Sequence, residues 1–525
     1  MLVVVLNSSD INQILSIIHN DYHKADLFEL RIDYLINNTL ELNVAEKIAS
    51  ISKIYNLVKF YNLPIIFTLR SGLDSHNNGK FTGAESQRLS LILEFAKLKP
   101  DYFDLEDYIN QDFLFLFNKL YPEIKIILSY HDFNAAPGTR LDLDKINNIF
   151  NNLVLNNLVL DIIDNYKLVF YAHSSLDNLV VLKFLDNINN HSQFKNKLTI
   201  HCMGELGQAS RILGQRFNNK FTYCISSCIS SFISSNLAPG ILTIDELLNI
   251  YNFKLINNLT KIFALIGNPV EQSVGHVFHN NFYKKNNINA IYIKLLISHS
   301  ELSEFFYWFD QLPIDGLSVT MPFKTAVSNF LTVSINNKIN AINTIRKNKM
   351  TNHLEGINTD GIGALLALSP ENNFKNKNIL IIGGGGAALG IMAELRKHKI
   401  NKLVVINRDE EKIKKISSEY NYNIEVIGLD KFNPDLFSFI KFDYIINAIS
   451  FSVFSGFNIS EDDKFNLAQK INNIVNCYSD AKTIYMNINY HDDIKNKNNR
   501  LNYQIVSGYK MYVKQAEKQI EYWLE

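Results

Sequence analysis

The chain has 525 residues, 47% of them hydrophobic, and carries 52 basic and 52 acidic side chains, enough for two to four domains with sizeable cores. Balanced charge removes the electrostatic case for a nucleic-acid partner or an acidic membrane surface, and no apolar run reaches the roughly 18 residues of a bilayer span. Four cysteines without CxxC spacing (Cys202, Cys224, Cys228 and Cys477) read as free thiols of a reducing, cytoplasmic compartment rather than as a metal site.

Short apolar, β-branched runs alternate with helical patterns along the first half. They are Leu2–Leu6, Leu27–Leu35, Pro64–Arg70, Tyr102–Glu106, Lys125–Phe133, Tyr166–Ala172, Leu198–Gly204 and Phe221–Ser226. Eight evenly spaced strands predict an α/β fold with an N-terminal (β/α)8 TIM barrel; an open doubly wound sheet is the competing architecture. The first run lacks a basic flank and is expected to be a strand, not a signal peptide.

Barrel chemistry lies at the C-terminal ends of the strands. There the sequence places Glu29, Arg31 and Asp33 at alternating positions, then Arg70, then Asp104 and Glu106. His131 and Lys167 lie on the fifth and sixth strands, and Arg211 follows the seventh. A strand lysine is usually a solvated edge residue. One facing His, Glu and Arg inside a barrel is instead expected to be freed by burial and cationic neighbours to attack a carbonyl. The adjacent histidine could then move a proton next to the resulting imine.

The set Glu29-x-Arg31-x-Asp33, Phe67–Arg70, Ser129–Phe133 and Lys167 resembles type I 3-dehydroquinate dehydratase, as do Met203-Gly204-x-x-Gly207-x-x-Ser210-Arg211 and Ala238-Pro239-Gly240. The resemblance covers residues 2–250. It implies a Schiff base at Lys167, His131 as the acid/base for loss of water, and Arg31, Arg70 and Arg211 holding the substrate carboxylate and hydroxyls, with Glu29 orienting them. Departures fall on the lids. Asp74 or Asn77 stands where the family has a glutamate supporting the histidine, Leu237 replaces a serine, and Ile241 replaces a glutamine that closes over substrate.

A helical pattern over Asp245–Thr260 leads, without a long linker, into a strand Lys261–Gly267. Three polar clusters follow: Gly267–Ser273 with His279-Asn280; Gly316–Lys324; and Asn340–Thr344 with Gly356–Asp360. Each alone could be a turn. Together their hydroxyls, amides, lysine and aspartate suit a polyhydroxylated ring, and a lysine–aspartate pair beside a hydride-transfer site can shuttle the carbinol proton. A further strand ends in Gly383-Gly384-Gly385-Gly386-Ala387-Ala388 and opens a helical pattern. This predicts a pyrophosphate at a helix N-terminus, with the ribose read where Leu403–Ile406 ends at Asn407-Arg408.

These motifs resemble shikimate dehydrogenase over residues 262–525. The resemblance implies Lys324 and Asp360 as the catalytic pair and Ser273, Thr320, Asn343 and Gln515 as substrate ligands. Gly383, Gly385, Gly386, Ala387, Asn407, Arg408 and Gly508 are the implied cofactor contacts, Gly508 opening the returning helix that carries Gln515. Arg408 favours NADP over NAD, because a cation pairs with a 2′-phosphate, and Asp409 opposes that choice. Gly275, Phe323 and Ile449 depart from the family pattern.

The expected domains are a dehydratase barrel at 1–255, a substrate-binding domain at 260–362 joined by the C-terminal helix 506–525, and a Rossmann NADP-binding domain at 363–505. The expected function is bifunctional: dehydration of 3-dehydroquinate, then reduction of 3-dehydroshikimate to shikimate with NADPH. The expected partners are these small molecules, with no nucleic acid, no membrane and no metal, and the oligomeric state is left open. A quinate/shikimate oxidoreductase and a non-catalytic sensor of the same ligands are the alternatives, on the strength of the drifted positions.

Overall fold

The computed structural model describes residues 1–36, 44–72, 79–133, 140–156, 162–189, 194–228, 240–334, 341–348, 350–419, 424–433, 440–449, 461–489 and 502–525. Asp74, Asn77, Leu237, Ala238 and Pro239 lie outside them. The chain forms two compact units, Met1–Phe263 with Val270–Ile314, and Ala264–Pro269 with Asp315–Glu525. Among the described residues no helix is long and apolar enough to cross a membrane.

In the first unit, eight parallel strands are β1 (Leu2–Leu6), β2 (Leu27–Arg31), β3 (Ile65–Thr68), β4 (Tyr102–Glu106), β5 (Lys125–Asp132), β6 (Ile163–Tyr171), β7 (Leu198–Met203) and β8 (Thr222–Cys224). Their spatial order is β7-β6-β5-β4-β3-β2-β1-β8, the nearly closed barrel that the eight runs predict. The remaining seam between β7 and β8 is bridged at its base, where Lys220 N donates to Leu198 O at 2.9 Å and Phe221 N to Thr199 Oγ1 at 3.3 Å. Helices cover the outer face and side chains fill the interior, which is why the strands are apolar on both faces.

The largest correction to a strand limit falls on β2. β2 stops at Arg31, and Ile32–Ile36 is helical, so Asp33 is not a strand residue. Its carboxylate turns back onto Arg31, accepting from Nε at 2.9 Å and Nη2 at 2.8 Å, and also accepts from Lys80 N at 3.0 Å. An acidic residue in a first helical turn is electrostatically favoured. The helical pattern over Asp245–Thr260 is realised only as short turns, Glu246–Ile250 and Phe253–Leu255, separated by Asn252 in a left-handed conformation with φ 50°.

Strands β9 (Lys261–Gly267), β10 (Ala290–Leu296), β11 (Ile314–Val319), β12 (Val333–Ser334), β13 (Thr344–Lys347) and β14 (Leu354–Ile357) form a sheet in the order β10-β9-β11-β13-β14-β12. Strands β15 (Asn378–Ile382), β16 (Lys402–Asn407), β17 (Ile424–Gly428), β18 (Tyr444–Asn447), β19 (Ile484–Asn487) and β20 (Gln504–Ser507) lie in the second unit, all parallel, in the order β17-β16-β15-β18-β19-β20.

That order is the doubly wound one, and it reverses direction at β15. Alternation sorts the β15 side chains to opposite faces. Ile379 and Ile381 join one core with Leu365, Leu368, Ile391 and Leu395. Leu380 and Ile382 join another with Ile471, Ile474, Val475 and Tyr478. Each such aliphatic side chain stabilises the fold by about 1.5–3 kcal/mol through burial. The Gly383–Gly386 turn therefore leaves β15 at the switch point, where an open α/β sheet leaves a crevice.

Candidate active sites

Glu29, Arg31, Arg70, His131, Lys167 and Arg211 come together around one pocket of the barrel, with Phe133, His201, Tyr223 and Ile241 among its other walls. Register places them in layers. Ser129, Lys167 and Thr199 pair across β5, β6 and β7, and one step towards the C-terminal ends His131, Val169 and His201 do the same.

Lys167 is buried. Its Nζ donates to Asp104 Oδ2 at 2.8 Å, lies 3.7 Å from Glu29 Oε1, and sits 4.0 Å from the centroid of the Tyr223 ring. The nearest charges to Lys167 are thus carboxylates, which corrects the expectation of cationic neighbours. Asp104 is shared, since its Oδ1 also accepts from Ser129 Oγ at 2.6 Å and Arg70 Nη2 at 3.3 Å. Burial alone would raise the Asp104 carboxyl; Lys167 and Arg70 outweigh it and hold the group below the usual carboxylate range. Glu29 accepts from Thr68 Oγ1 at 2.8 Å.

Burial, followed by the charges of Arg70 and Lys167, pushes His131 well below the ordinary imidazole value. Arg70 Nη1 lies 3.0 Å from His131 Nε2. A guanidinium can only donate, so Nε2 accepts and the neutral ring carries its proton on Nδ1. Arg211 differs from the other arginines. It is buried and, unlike Arg31 and Arg70, has no ion pair among the described residues; its Nε, like that of Arg70, has no hydrogen-bond partner. Burial lowers its pKa to about 10. A buried cation of this kind is costly unless an anion arrives.

Asp104, His201 and Tyr223 carried no assigned role in the sequence. Strand alternation on β7 from Thr199 to Met203 is the signal that points His201 inward. Glu106, in contrast, serves the frame, accepting from the fully buried Arg88 at 2.8 Å.

In the second unit Lys324 Nζ donates to Asp360 Oδ2 at 2.5 Å. Asn343 Nδ2 lies 2.8 Å from Asp360 Oδ1, 3.0 Å from Thr359 Oγ1 and 3.3 Å from Gln515 Oε1. Lys324, Asp360, Asn343 and Gln515 therefore belong to one network, with Thr359 added. Gln515 gets there because Gly363, on the helix Asp360–Leu368, lets the helix Gly508–Leu524 come close: a Cβ at 363 would lie 2.5 Å from Gln515 Cβ.

Thr320 stands at the end of β11, its N donating to Ile266 O at 3.0 Å. Ser273, in the first unit, accepts through Oγ from Gly275 N at 3.1 Å. Phe323 is fully buried.

The glycine turn fits a dinucleotide. Gly383 has φ 113°, and a Cβ on Gly385 would meet nothing within 4 Å, leaving open space over the turn. No side chain caps the helix Gly386–Leu395, so its first N–H groups are available to phosphate. Ala387 lies in that helix's first turn. A Cβ on Gly386 would lie 3.0 Å from Lys324 Cδ, so the turn abuts the lysine. Asn407 Nδ2 donates to Asp409 O at 2.9 Å, and Arg408 is exposed at the end of β16. Gly508 packs on β19: a Cβ there would lie 2.3 Å from Asn487 O. Ser450–Ser452, beyond Ile449, lie outside the described residues. Among the described residues no group of three His, Cys, Asp or Glu is placed to hold a metal ion.

Three family profiles match the chain: type I 3-dehydroquinase over residues 2–258, the shikimate dehydrogenase substrate-binding domain over 265–345, and shikimate/quinate 5-dehydrogenase over 365–453. The chain is similar to the shikimate biosynthesis protein AroDE of Chlamydia pneumoniae, with 32% identity over 392 residues, 74% of this chain and 72% of the relative. It is 28% identical over 430 residues to the chloroplastic bifunctional 3-dehydroquinate dehydratase/shikimate dehydrogenase of Arabidopsis thaliana, 78% of this chain and 65% of that one. It is 36% identical over 212 residues to shikimate dehydrogenase (NADP(+)) of Pelagibacter ubique, 40% of this chain and 74% of the relative. The chain belongs to the family of bifunctional shikimate-pathway enzymes that join a type I 3-dehydroquinate dehydratase to a shikimate dehydrogenase.

Proposed function

We propose that the barrel dehydrates 3-dehydroquinate to 3-dehydroshikimate through an imine at Lys167, and that the Lys324–Asp360 site reduces this ketone to shikimate with NADPH. The observation that carries the first step is the pocket itself: a buried lysine, a neutral imidazole one layer above it on the next strand, and Arg211 without an anion. The substrate carboxylate pairs with Arg211, and Arg31 and Arg70 take its hydroxyls. Lys167 gives up a proton and attacks the ketone carbon, and the carbonyl oxygen leaves as water. His131 takes a proton from the adjacent carbon and returns one to the departing hydroxyl, which leaves as a second water. Hydrolysis of the imine restores Lys167.

In the second unit, Lys324 protonates the ketone oxygen as it becomes an alcohol, with Asp360, itself held by the Asn343 amide, keeping the ammonium in place. NADPH, when bound, supplies the hydride. Asn343, Gln515 and Thr320 bind the ring. Arg408 favours NADP, as in the P. ubique relative's name. The domain limits 1–255, 260–362 with 506–525, and 363–505 are supported by where the three profiles fall.

Purified chain with 3-dehydroquinate should form the unsaturated ketone without NADPH and oxidise NADPH once it is added. Borohydride should fix one substrate on Lys167, located by peptide mass. Binding without turnover would favour the sensor reading, and oxidation of quinate with NAD the catabolic one.

A further inference from the structure

His201 lies in the same layer of the barrel as His131. Both pair with Val169, one from each side of β6, so the two imidazoles flank the strand of Lys167 one step above the lysine. Two strand spacings separate their backbones, about 10 Å, a distance that accommodates a six-membered ring. His131 is occupied by Arg70. His201 is not. It is 2% exposed, its Nδ1 is buried without a partner, and among the described residues its imidazole makes no hydrogen bond. The Tyr223 ring lies 6.0 Å away.

The charge that acts most strongly on His201 is that of Arg211, ahead of Lys167. His201 on β7 and Arg211 on the helix Gln208–Leu213 that follows it both line the pocket, and each has a buried nitrogen without a partner. Ile241 adds an apolar wall. Buried polar atoms without partners are rare in folded proteins and call for an occupant.

We propose that His201 is a substrate-binding residue of the dehydratase pocket, donating to the carboxylate of 3-dehydroquinate beside Arg211. This rests on the dehydratase reading of the barrel. An imidazole N–H and a guanidinium can take one carboxylate oxygen each, and this leaves His131, across β6, free for proton transfer. His201 thus sets where the ring sits and takes no part in the bond changes.

The test is steady-state dehydration by His201→Ala and His201→Gln, with shikimate oxidation by the same preparations as the control for folding. His201→Ala should raise KM for 3-dehydroquinate about tenfold with kcat within about twofold, and borohydride should still label Lys167. His201→Gln, which keeps an N–H donor, should recover part of the KM, and it carries the test if the alanine variant fails to fold. KM unchanged in both variants overturns the proposal, as does a fall in kcat at constant KM, which would make His201 a proton-transfer group. Wild-type protein that forms neither product nor adduct overturns the barrel reading together with the proposal.

Discussion

Lys167 and Lys324 each meet an aspartate, at 2.8 and 2.5 Å, yet their surroundings differ. The Lys167 and Asp104 side chains are 6% and 0% exposed, the aspartate is shared with Arg70 and Ser129, and an aromatic ring underlies the ammonium. The Lys324 and Asp360 side chains are 17% and 8% exposed, and the aspartate is tied to the neutral amide of Asn343. A nucleophile has to be kept dry and fixed through a covalent cycle. A proton donor has to be re-supplied from solvent on each turnover, and its pair lies nearer to water. Under the proposed roles one residue pair thus serves two chemistries because burial and charged neighbours differ, not because the side chains do.

Breaking each pair tests this contrast. Lys167→Ala should lower dehydration by about 10⁴-fold or more and leave shikimate oxidation unchanged, as read in the two separate assays. Lys324→Ala should lower NADPH-linked reduction by about 10²–10⁴-fold, with dehydration intact. If either variant lost both activities, the sites would not be independent.

Stability should separate the pairs next. Asp104→Asn strands a buried ammonium and should cost about 3–5 kcal/mol in urea unfolding. Asp360→Asn, at the more exposed pair, should cost about 1 kcal/mol.

Acid should act on the barrel in two windows. Burial, then Arg70, depresses His131, and burial, then Arg211, depresses His201, both from an ordinary 6.5. The unfolded chain then binds the extra protons, so stability falls as pH drops below that value. Asp104 is held below 3.8; its contribution is present above that value and is lost as pH falls through its folded pKa. Urea midpoints from pH 7 to 3 should show both losses, and His201→Gln should flatten the first. The smallest effect concerns the approach of the last helix. Gly363→Ala should push Gln515 outwards and raise KM for shikimate by about tenfold, sparing the barrel.

Much of this was legible in the sequence because burial on both sides leaves a plain mark. β1, β4 and β9 coincide with their apolar runs, and β15 runs directly into its glycines. The second unit's network was legible for a similar reason, since Lys324, Asn343 and Asp360 each lie in a compact polar cluster. What stayed hidden involves pairing across strands. Asp104 reaches Lys167 from two strands away, so no local spacing reveals it. His201 and Tyr223 sit in apolar strands, where an aromatic ring reads as core. Gly363 lies mid-helix, and its purpose is set by a helix roughly 150 residues later in the chain. Asp33 was misread as a strand residue because Ile32, Tyr34 and Leu35 continue the apolar run past the point where the carboxylate turns the backbone.

The contact between Arg70 and His131 has a kinetic side. Arg70 occupies the lone pair on Nε2 with which His131 would take a proton. In the resting barrel the base is therefore masked, and under the proposed roles only a ligand whose hydroxyl draws the guanidinium away exposes it. A ketone that docks at Lys167 without that hydroxyl would form its imine and stop there, so the site checks the substrate twice, once for the group that reacts and once for a group that does not.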